Sequence, residues 1–386
     1  MKICYLFDID LIERYTHPTF PKLPNHALMK MSAYFKRKGY TIKLIYDKRI
    51  PRYNPQNLYI GSALYSGNLL RFKARLKKTE LLSHIHIGTP TQNCHITTIK
   101  GLKCDYTEYD EMLKNTNIKL DWYPCNIGYL TKGCIRQCKF CVNRNRTEII
   151  KVNTLDEIYQ KKGEYIELLD DNLFASDDAV KLLNQIAEFS KKHDVLFKLR
   201  NGLDCRIVSD EKVKALGKCN KAFETLHCAW DRVENTFIFN NIKKIRKEVP
   251  ISLICYTLSG VNVINDKDLK RDLLGFFYRH YMLKKIGVRP YLAIFEDDTE
   301  KYHNPYLPIY KLIKTQFNFL QNSSKTSLTR QMNIKYTSAY KKIVEVLDEF
   351  SYLAKLTQGE ILNLDDFDLK MKEIADYLKI KHYSAI

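Results

Sequence analysis

The chain has 386 residues, a length that accommodates two or three domains. Hydrophobic residues make up 45% and charged residues 28%, proportions that are ordinary for a globular protein with a core. No stretch approaches the roughly 18 uninterrupted apolar residues of a membrane span. The 11 cysteines are an odd number, and the start of the chain is too acidic for a secretory signal. These features argue against a disulfide-rich secreted protein and predict a cytoplasmic protein that contacts no membrane.

The formal net charge of +19 is unevenly distributed. Residues 1–120 carry 20 basic and 9 acidic side chains, a net charge of +11, whereas residues 300–386 carry 13 and 10. A basic first third indicates an anionic partner, such as a nucleotide or a nucleic acid, and a lysine-rich composition without such a partner is the other interpretation. The stretch RFKARLKK at 71–78 is either a phosphate-binding helix or a solvated helix face.

Short apolar strands alternate with amphipathic helices through the first 120 residues. Strands are predicted at 2–8, 41–47, 57–65 and 84–90, and helices at 23–40 and 68–78. This alternation predicts a parallel, doubly wound, Rossmann-like domain. The dinucleotide fingerprint G-x-G-x-x-G does not follow the first strand.

The same alternation continues through residues 121–298. Strands are predicted near 126–130 and at 165–172, 195–202, 222–231, 251–260 and 288–296, with helices at 175–193, 209–218, 233–248 and 268–287. Ser176 is the predicted N-cap of the first of these helices. Six β/α units are too few for a complete eight-fold barrel and predict a partial (β/α)6 barrel of the TIM type. Residues 299–386 are predicted to form a helical C-terminal domain, with its clearest amphipathic stretch at 339–356.

The segment TKGCIRQCKFC at 131–141 places Cys134, Cys138 and Cys141 within eight residues. Three thiolates on a four-iron, four-sulfur cluster leave one iron without a protein ligand, and that iron can bind a small molecule. A structural zinc site needs a fourth Cys or His. Cys125 could supply it, although it lies nine residues before Cys134, across the whole predicted strand. Three unrelated thiols are the remaining interpretation.

This segment resembles the C-x3-C-x-aromatic-C signature of radical S-adenosylmethionine (SAM) enzymes, with Gly133 before it and Phe140 at the aromatic position. The flanking residues look most like members with a cobalamin-binding-like domain in front of the barrel. The resemblance covers about residues 1–298 and is strongest at 130–145. It implies a [4Fe-4S] cluster on the three cysteines, a cluster loop after the first barrel strand, and an electron donor such as flavodoxin or ferredoxin.

The resemblance also implies the chemistry. In that family, the amino and carboxylate groups of SAM chelate the open iron, and one electron breaks a carbon–sulfur bond of the sulfonium. The products are methionine and a 5′-deoxyadenosyl radical, which usually abstracts hydrogen from a substrate. The cofactor supplies this chemistry, while the protein positions it and excludes water.

Further site residues follow from the resemblance, position by position. Phe140 matches the aromatic residue that packs near the adenine of SAM. Many members hold the SAM amino group with a Gly-Gly-Glu-like motif, and this chain has Leu169, Asp170, Asp171 and Asn172 in that place. A carboxylate of Asp170 or Asp171 is suited to bind an ammonium group. The predicted strand ends add four candidates for contacts with SAM or substrate at the barrel mouth: Asn201, Trp230, Asp231 and Gly260.

The first domain departs from the family pattern. Relatives that bind cobalamin often carry Asp-x-His-x-x-Gly, whose histidine ligates cobalt. Asp8, Asp10 and His17 do not have that spacing. A cobalamin without a protein ligand and a domain that has lost this cofactor are the alternatives that remain.

The sequence therefore predicts a radical SAM enzyme that reductively cleaves SAM at a [4Fe-4S] cluster and acts on an unidentified substrate. The alternative is a non-catalytic zinc or iron–sulfur protein that docks on nucleic acid through its basic N-terminal domain. Metal content and SAM turnover discriminate between the two.

Overall fold

The computed structural model describes residues 2–14, 23–64, 66–89, 95–99, 101–120, 123–138, 141, 143–199, 201–295, 305–321, 337–348 and 364–380. Contacts divide the chain into two compact units. The first unit consists of residues 1–201 and 218–224, and the second of residues 202–217 and 225–386. The domain limits at residues 120 and 298 stay predictions.

The first unit begins with a four-stranded parallel sheet in the order β2-β1-β3-β4. Its strands are β1 (Ile3–Asp8), β2 (Thr41–Ile45), β3 (Leu58–Ser62) and β4 (His86–Gly88), and its helices are α1 (Ile9–Arg14), α2 (His26–Arg37), α3 (Ser66–Leu76) and α4 (Thr107–Lys114). Successive residues of β1 point to opposite faces of the sheet, so Leu6 packs with Leu28 of α2, whereas Phe7 packs with Phe72 of α3. All four predicted strands are present, and the predicted α/β class is confirmed.

A second parallel sheet in the first unit consists of β5 (Asn126–Gly128), β8 (Tyr165–Leu168) and β9 (Leu196–Leu199). Two further short strands, β6 (Thr131–Lys132) and β7 (Ile150–Lys151), pair antiparallel. The helices of this part are α5 (Leu155–Ile158) and α6 (Ala179–His193).

The N-cap prediction for Ser176 is wrong. Helix α6 begins at Ala179, and Asp178 occupies its N-cap position. Ser176 instead ends a short 3-10 helix, Leu173–Ala175, and its carbonyl accepts a hydrogen bond from the Ala179 amide. A serine side chain that binds nearby backbone suits this turn as well as a helix start.

The two sheets of the first unit share one apolar core. Met29, Tyr109, Cys125 and Ile127 belong to the same buried cluster. A hydrogen bond of 2.9 Å from the Ile127 amide to the Tyr106 hydroxyl reinforces the contact. This core joins β5, the strand that precedes the cysteines, to helices α2 and α4 beside the four-stranded sheet, which we call the front sheet.

The second unit contains a three-stranded parallel sheet of β10 (Thr225–Ala229), β11 (Ser252–Ser259) and β12 (Arg289–Ile294). Its helices are α7 (Asp210–Lys218), α8 (Thr236–Glu248), α9 (Asp266–Lys285), α10 (Leu307–Gln321), α11 (Thr337–Val346) and α12 (Leu364–Tyr377). Lys218, the last residue of α7, is assigned to the first unit. Helix α9 is buried along most of its length, because it packs on β11 and β12 as well as on α11 and α12.

All six strands predicted between residues 121 and 298 are present, three in each unit. The predicted C-terminal helical region contains three described helices, and residues 349–356 of its amphipathic stretch lie outside the described residues. Among the residues that the structure describes, no helix has the length and apolarity that a bilayer crossing requires.

Asp8 at the end of β1 and Asp10 in α1 accept hydrogen bonds from helices and a loop beside the four-stranded sheet. Asp8 is 2% exposed, and its carboxylate accepts hydrogen bonds from the Tyr109 hydroxyl at 2.7 Å and the Leu11 amide at 3.0 Å. The Asp10 carboxylate accepts from the Leu64 amide and the Asn68 amide group, each at 2.6 Å. Burial and the nearby Asp10 charge raise the pKa of Asp8 to about 7.

This shift predicts a pH dependence of stability. Because the folded-state pKa lies above the ordinary value, folding favours protonated Asp8, and stability falls as the pH rises through about 7. We expect Asp8→Asn to remove this loss. Between pH 6 and pH 8, the unfolding free energy of wild type should fall by about 1 kcal/mol relative to that of the variant. Urea unfolding at both pH values measures it.

Comparing the variant with wild type separates the contribution of Asp8 to the pH dependence from the contributions of the buried histidines. His26 and His280 have pKa values lowered by burial, and they affect both proteins equally. The matched control is Asp47→Asn. Desolvation raises the pKa of Asp47, but the hydrogen bonds and charge of Arg49 outweigh it and lower this pKa, so the Asp47 carboxyl does not titrate in this window. Parallel pH profiles for wild type and Asp8→Asn would contradict the prediction.

Candidate metal centre

The three cysteines lie on a loop whose ends are paired. Thr131 pairs with Lys151 and Lys132 with Ile150, so the antiparallel strands β6 and β7 close the segment between them. Inside this closure, the Cys134 amide donates to the Arg146 carbonyl at 2.7 Å. The loop that carries Cys134, Cys138 and Cys141 is therefore anchored at both ends to regular structure.

Gly133 permits the close approach of the two loop ends. Its φ of +113° lies in the left-handed region, and a Cβ atom there would lie 1.8 Å from the Glu148 carbonyl oxygen. No side chain fits at this distance, so glycine is required at the residue that precedes Cys134.

The loop thiols differ from the other described cysteines in exposure. Cys134, Cys138 and Cys141 are partly exposed, whereas the other seven described cysteines are buried. The Cys134 sulfur accepts hydrogen bonds from the Arg136 amide at 3.4 Å and the Asn172 side-chain amide at 3.3 Å. The Cys141 sulfur accepts from the Asn143 amide at 3.4 Å. Such donors stabilise thiolate, the form that binds metal.

The loop thiols also interact electrostatically. Burial raises the pKa of Cys141, and the nearby Cys138, Cys134 and Asp171 raise it further, against the Asn143 amide. Thiolates in one loop repel each other when all are deprotonated, and a bound cationic metal relieves this repulsion. The donor set therefore fits an iron–sulfur cluster.

In the described ranges, no three His, Cys, Asp or Glu side chains form a group that could hold a single metal ion. Cys125, the candidate fourth thiol, is 0% exposed and belongs to the apolar core of the first unit. The thiolates of a [4Fe-4S] cluster bind separate irons, so they need not converge on one point.

Asp170 holds the segment that leads into the loop. It is 1% exposed, and its carboxylate accepts hydrogen bonds from the Leu130 amide at 3.1 Å, the Thr131 amide at 2.5 Å and the Thr131 hydroxyl at 2.7 Å. Burial raises the pKa of Asp170 to about 6, although these hydrogen bonds act in the opposite direction. Its carboxylate is thus occupied by protein donors.

Asp171 and Asn172 contact the loop itself. The Asp171 carboxylate accepts from the Gly133 amide at 2.9 Å and from the Asn143 side chain at 2.7 Å. Asn172 is the donor to the Cys134 sulfur. Asp171 is only partly buried, in contrast to Asp170. Binding of SAM to Asp170, Asp171 or Asn172 stays a prediction.

Two other predicted residues belong to the first unit. The Asn201 side chain donates to the carbonyls of Leu169 at 3.2 Å and Asp170 at 3.0 Å, which fixes the backbone after β8. Phe140 lies outside the described residues. The structure therefore brings Asn201 to the acidic segment, and the predicted contact of either residue with SAM is untested.

Trp230, Asp231 and Gly260 follow strands β10 and β11 in the second unit. Trp230 is 1% exposed and stacks on Phe239 at 5.2 Å between ring centroids. Burial raises the pKa of Asp231, although the positive charge of Arg279 opposes the shift. Gly260 has a φ of +86° and follows directly on β11. These residues do lie at carboxyl ends of parallel strands, as predicted.

Arg279, which the sequence analysis did not identify, fixes these strand ends. It is 2% exposed, and its guanidinium donates to the Trp230 carbonyl at 2.8 Å, the Asp231 carbonyl at 2.6 Å and the Leu258 carbonyl at 3.2 Å. Nearby Asp272 accepts from the Gly260 amide at 2.9 Å. An arginine within the apolar run LLGFFYRHYML was the available signal, because a charge in a buried helix needs partners.

Comparison with known proteins finds a shared fold. No family model and no curated protein matches the chain. Solved structures of TsrM, a radical S-adenosylmethionine methyltransferase from Kitasatospora setae, are similar. The structure with tryptophan substrate and the SAM analog aza-SAM has a TM-score of 0.50 and 10% identity, covering 76% of this chain and 73% of that chain. The structure with cobalamin and a [4Fe-4S] cluster has a TM-score of 0.49 and 10% identity, covering 76% and 74%.

Gly133→Ala should disrupt the cysteine loop. The new Cβ would overlap the Glu148 carbonyl, and the left-handed φ adds strain of about 1–3 kcal/mol. We expect the variant to lose most of its iron after anaerobic reconstitution, measured by a colorimetric iron assay. Gly101→Ala is the control, since Gly101 has a φ of +68° but open space around its Cβ position. Equal iron in the two variants would show that the loop tolerates the change.

Arg279→Met should destabilise the second unit. The change leaves carbonyl oxygens without their donor and removes the positive charge near Asp231 and Asp272. We expect a loss of about 3–5 kcal/mol in unfolding free energy, measured by urea unfolding with tryptophan fluorescence. Arg271→Met is the control, because Arg271 is half exposed and its ion pair with Glu234 contributes less than about 1 kcal/mol. Similar losses in both variants would refute this role of Arg279.

Proposed function

We propose that this protein is a radical SAM enzyme, which binds a [4Fe-4S] cluster through Cys134, Cys138 and Cys141 and reductively cleaves SAM. The observation that carries the proposal is the closed loop after β5. It presents three partly exposed thiols, and backbone and side-chain amides donate to two of their sulfurs. The fold shared with a radical SAM methyltransferase supports the same conclusion.

When bound, such a cluster supplies an iron that is open to the amino and carboxylate groups of SAM and passes one electron to the sulfonium. The chain's own residues hold the ligands. Gly133 lets the loop ends meet, and the amides of Arg136 and Asn143 donate to the sulfurs of Cys134 and Cys141. The Asp171 carboxylate, which is partly exposed beside the loop, is the acidic group that we propose for the SAM ammonium.

Hydrogen abstraction and rearrangement both fit this proposal, because each begins with reductive cleavage of SAM to methionine and a 5′-deoxyadenosyl radical. Methyl transfer, the activity of TsrM, is a separate candidate. It leaves S-adenosylhomocysteine without reductive cleavage of that SAM molecule. A cobalamin held by a histidine is not part of the proposal, because Asp8, Asp10 and His17 lack the spacing of the histidine motif. A cobalamin without a protein ligand and a domain that has lost this cofactor stay the alternatives.

The partners follow from charge and redox chemistry. We propose a low-potential donor, such as a flavodoxin or a ferredoxin, as the source of electrons. The net charge of +11 on residues 1–120 suits an anionic substrate, such as a nucleotide or a nucleic acid. The odd number of cysteines and the clustering of three of them fit a reducing compartment such as the cytoplasm. The rival function, a non-catalytic metal-binding protein that docks on nucleic acid through its basic N-terminal domain, has only this charge in its favour.

Anaerobic reconstitution with iron and sulfide tests the proposal. We expect about four irons per chain, loss of most iron on changing any of the three loop cysteines to Ala, and 5′-deoxyadenosine from SAM after dithionite reduction. Cys219→Ala is the control, because this thiol is buried and donates to the Leu183 carbonyl. Chromatography of the nucleoside products separates the reaction classes. One zinc per chain without SAM turnover would contradict the proposal.

A further inference from the structure

We propose that the three consecutive residues after β8, Asp170, Asp171 and Asn172, are positioning residues for the cysteine loop, and that the Asn172 amide tunes the reduction potential of its cluster. The inference rests on the proposed function, because it concerns the cluster on the same three thiols. It gives this segment a second role, separate from any contact with SAM.

The three side chains hold the loop at three successive places. Asp170 binds the backbone of Leu130 and Thr131, before the loop begins. Asp171 binds Gly133 at the start of the loop and Asn143 near its end, so a single carboxylate connects both. Asn172 contacts the sulfur of the first ligand. The carboxyl end of β8 is thus the template on which the loop is arranged.

Burial makes these contacts strong. Asp170 is 1% and Asn172 4% exposed, so water competes little for their hydrogen bonds. A buried carboxylate accepts hydrogen bonds more strongly than a neutral oxygen, and losing one leaves buried donors without a partner. Substitutions in residues 170–172 should therefore change the conformation of the cysteine loop.

The contact between Asn172 and Cys134 has a redox consequence. One-electron reduction adds negative charge to an iron–sulfur cluster and its thiolates. An amide donor 3.3 Å from the Cys134 sulfur stabilises that charge and raises the reduction potential. Removal of the donor should make the cluster harder to reduce.

The first test measures the potential. Wild type, Asn172→Leu and Asn153→Leu are reconstituted and titrated with dithionite, with the reduced cluster followed by electron paramagnetic resonance. Asn153 is the matched control, because it is a partly buried asparagine near the loop that donates to the Tyr129 carbonyl and not to a sulfur. We expect a more negative midpoint potential for Asn172→Leu and an unchanged one for Asn153→Leu.

The second test exchanges two side chains. Asp171→Asn replaces one of the two acceptor oxygens with an amide donor, so either the Gly133 amide or the Asn143 side chain loses its acceptor, and Asn143→Asp places two carboxylates together. The double variant restores one donor and one acceptor at 2.7 Å spacing, with the roles reversed. We expect each single variant to lose iron to a chelator about 10-fold faster than wild type, and the double variant to recover most of the difference. Asp177→Asn, an exposed neighbour, is the control.

The outcomes separate the two proposals. If wild type takes up no cluster, the proposed function fails, and this inference fails with it. If wild type takes up a cluster but Asn172→Leu keeps the wild-type potential, or the double variant loses iron as fast as the single variants, the inference alone is overturned. A shifted potential together with recovery in the double variant supports it.

Discussion

The buried carboxylate of Asp170 joins two parts of the first unit that are distant in the chain. It accepts hydrogen bonds from the backbone where the chain leaves β5 and from the Thr131 hydroxyl. Because Asp170 follows the neighbouring strand β8, these bonds fix the direction in which the chain enters the cysteine loop. The chain then passes through β6, which pairs with β7, and reaches Gly133, whose amide donates to Asp171. A change of direction here would move all three thiols together.

The second unit uses a charge of opposite sign for a similar purpose. Arg279 donates to carbonyl oxygens after β10 and near the end of β11, where parallel strands leave backbone acceptors unpaired. Each unit thus places a fully buried charged group at the carboxyl ends of its strands. Desolvation makes such groups costly, and many hydrogen bonds from one side chain offset that cost. These hydrogen bonds fix the backbone from which the loops at the strand ends begin.

The sequence predicted the strands well because short apolar runs bounded by polar residues are typical of buried strands. The six strands from 126 to 296 and the position of the three cysteines illustrate this. Ser176 shows where such reasoning fails, since a serine suits several kinds of turn and only the neighbouring hydrogen bonds distinguish them. Asp170 and Arg279 show the other limit. Their partners are mostly backbone groups of residues far away in sequence, and a backbone group has no sequence signature.

The separation in sequence between the loop and its supporting residues has a consequence for synthesis. The groups at residues 130–134 are made first, and their hydrogen-bond partners on Asp170, Asp171 and Asn172 come 38 to 40 residues later. At about 5–20 residues per second, the ribosome needs several seconds to cover this interval. A nascent chain that has just exposed its thiols therefore lacks the template that arranges them. The three thiols therefore reach their final arrangement only after residues 170–172 have left the exit tunnel.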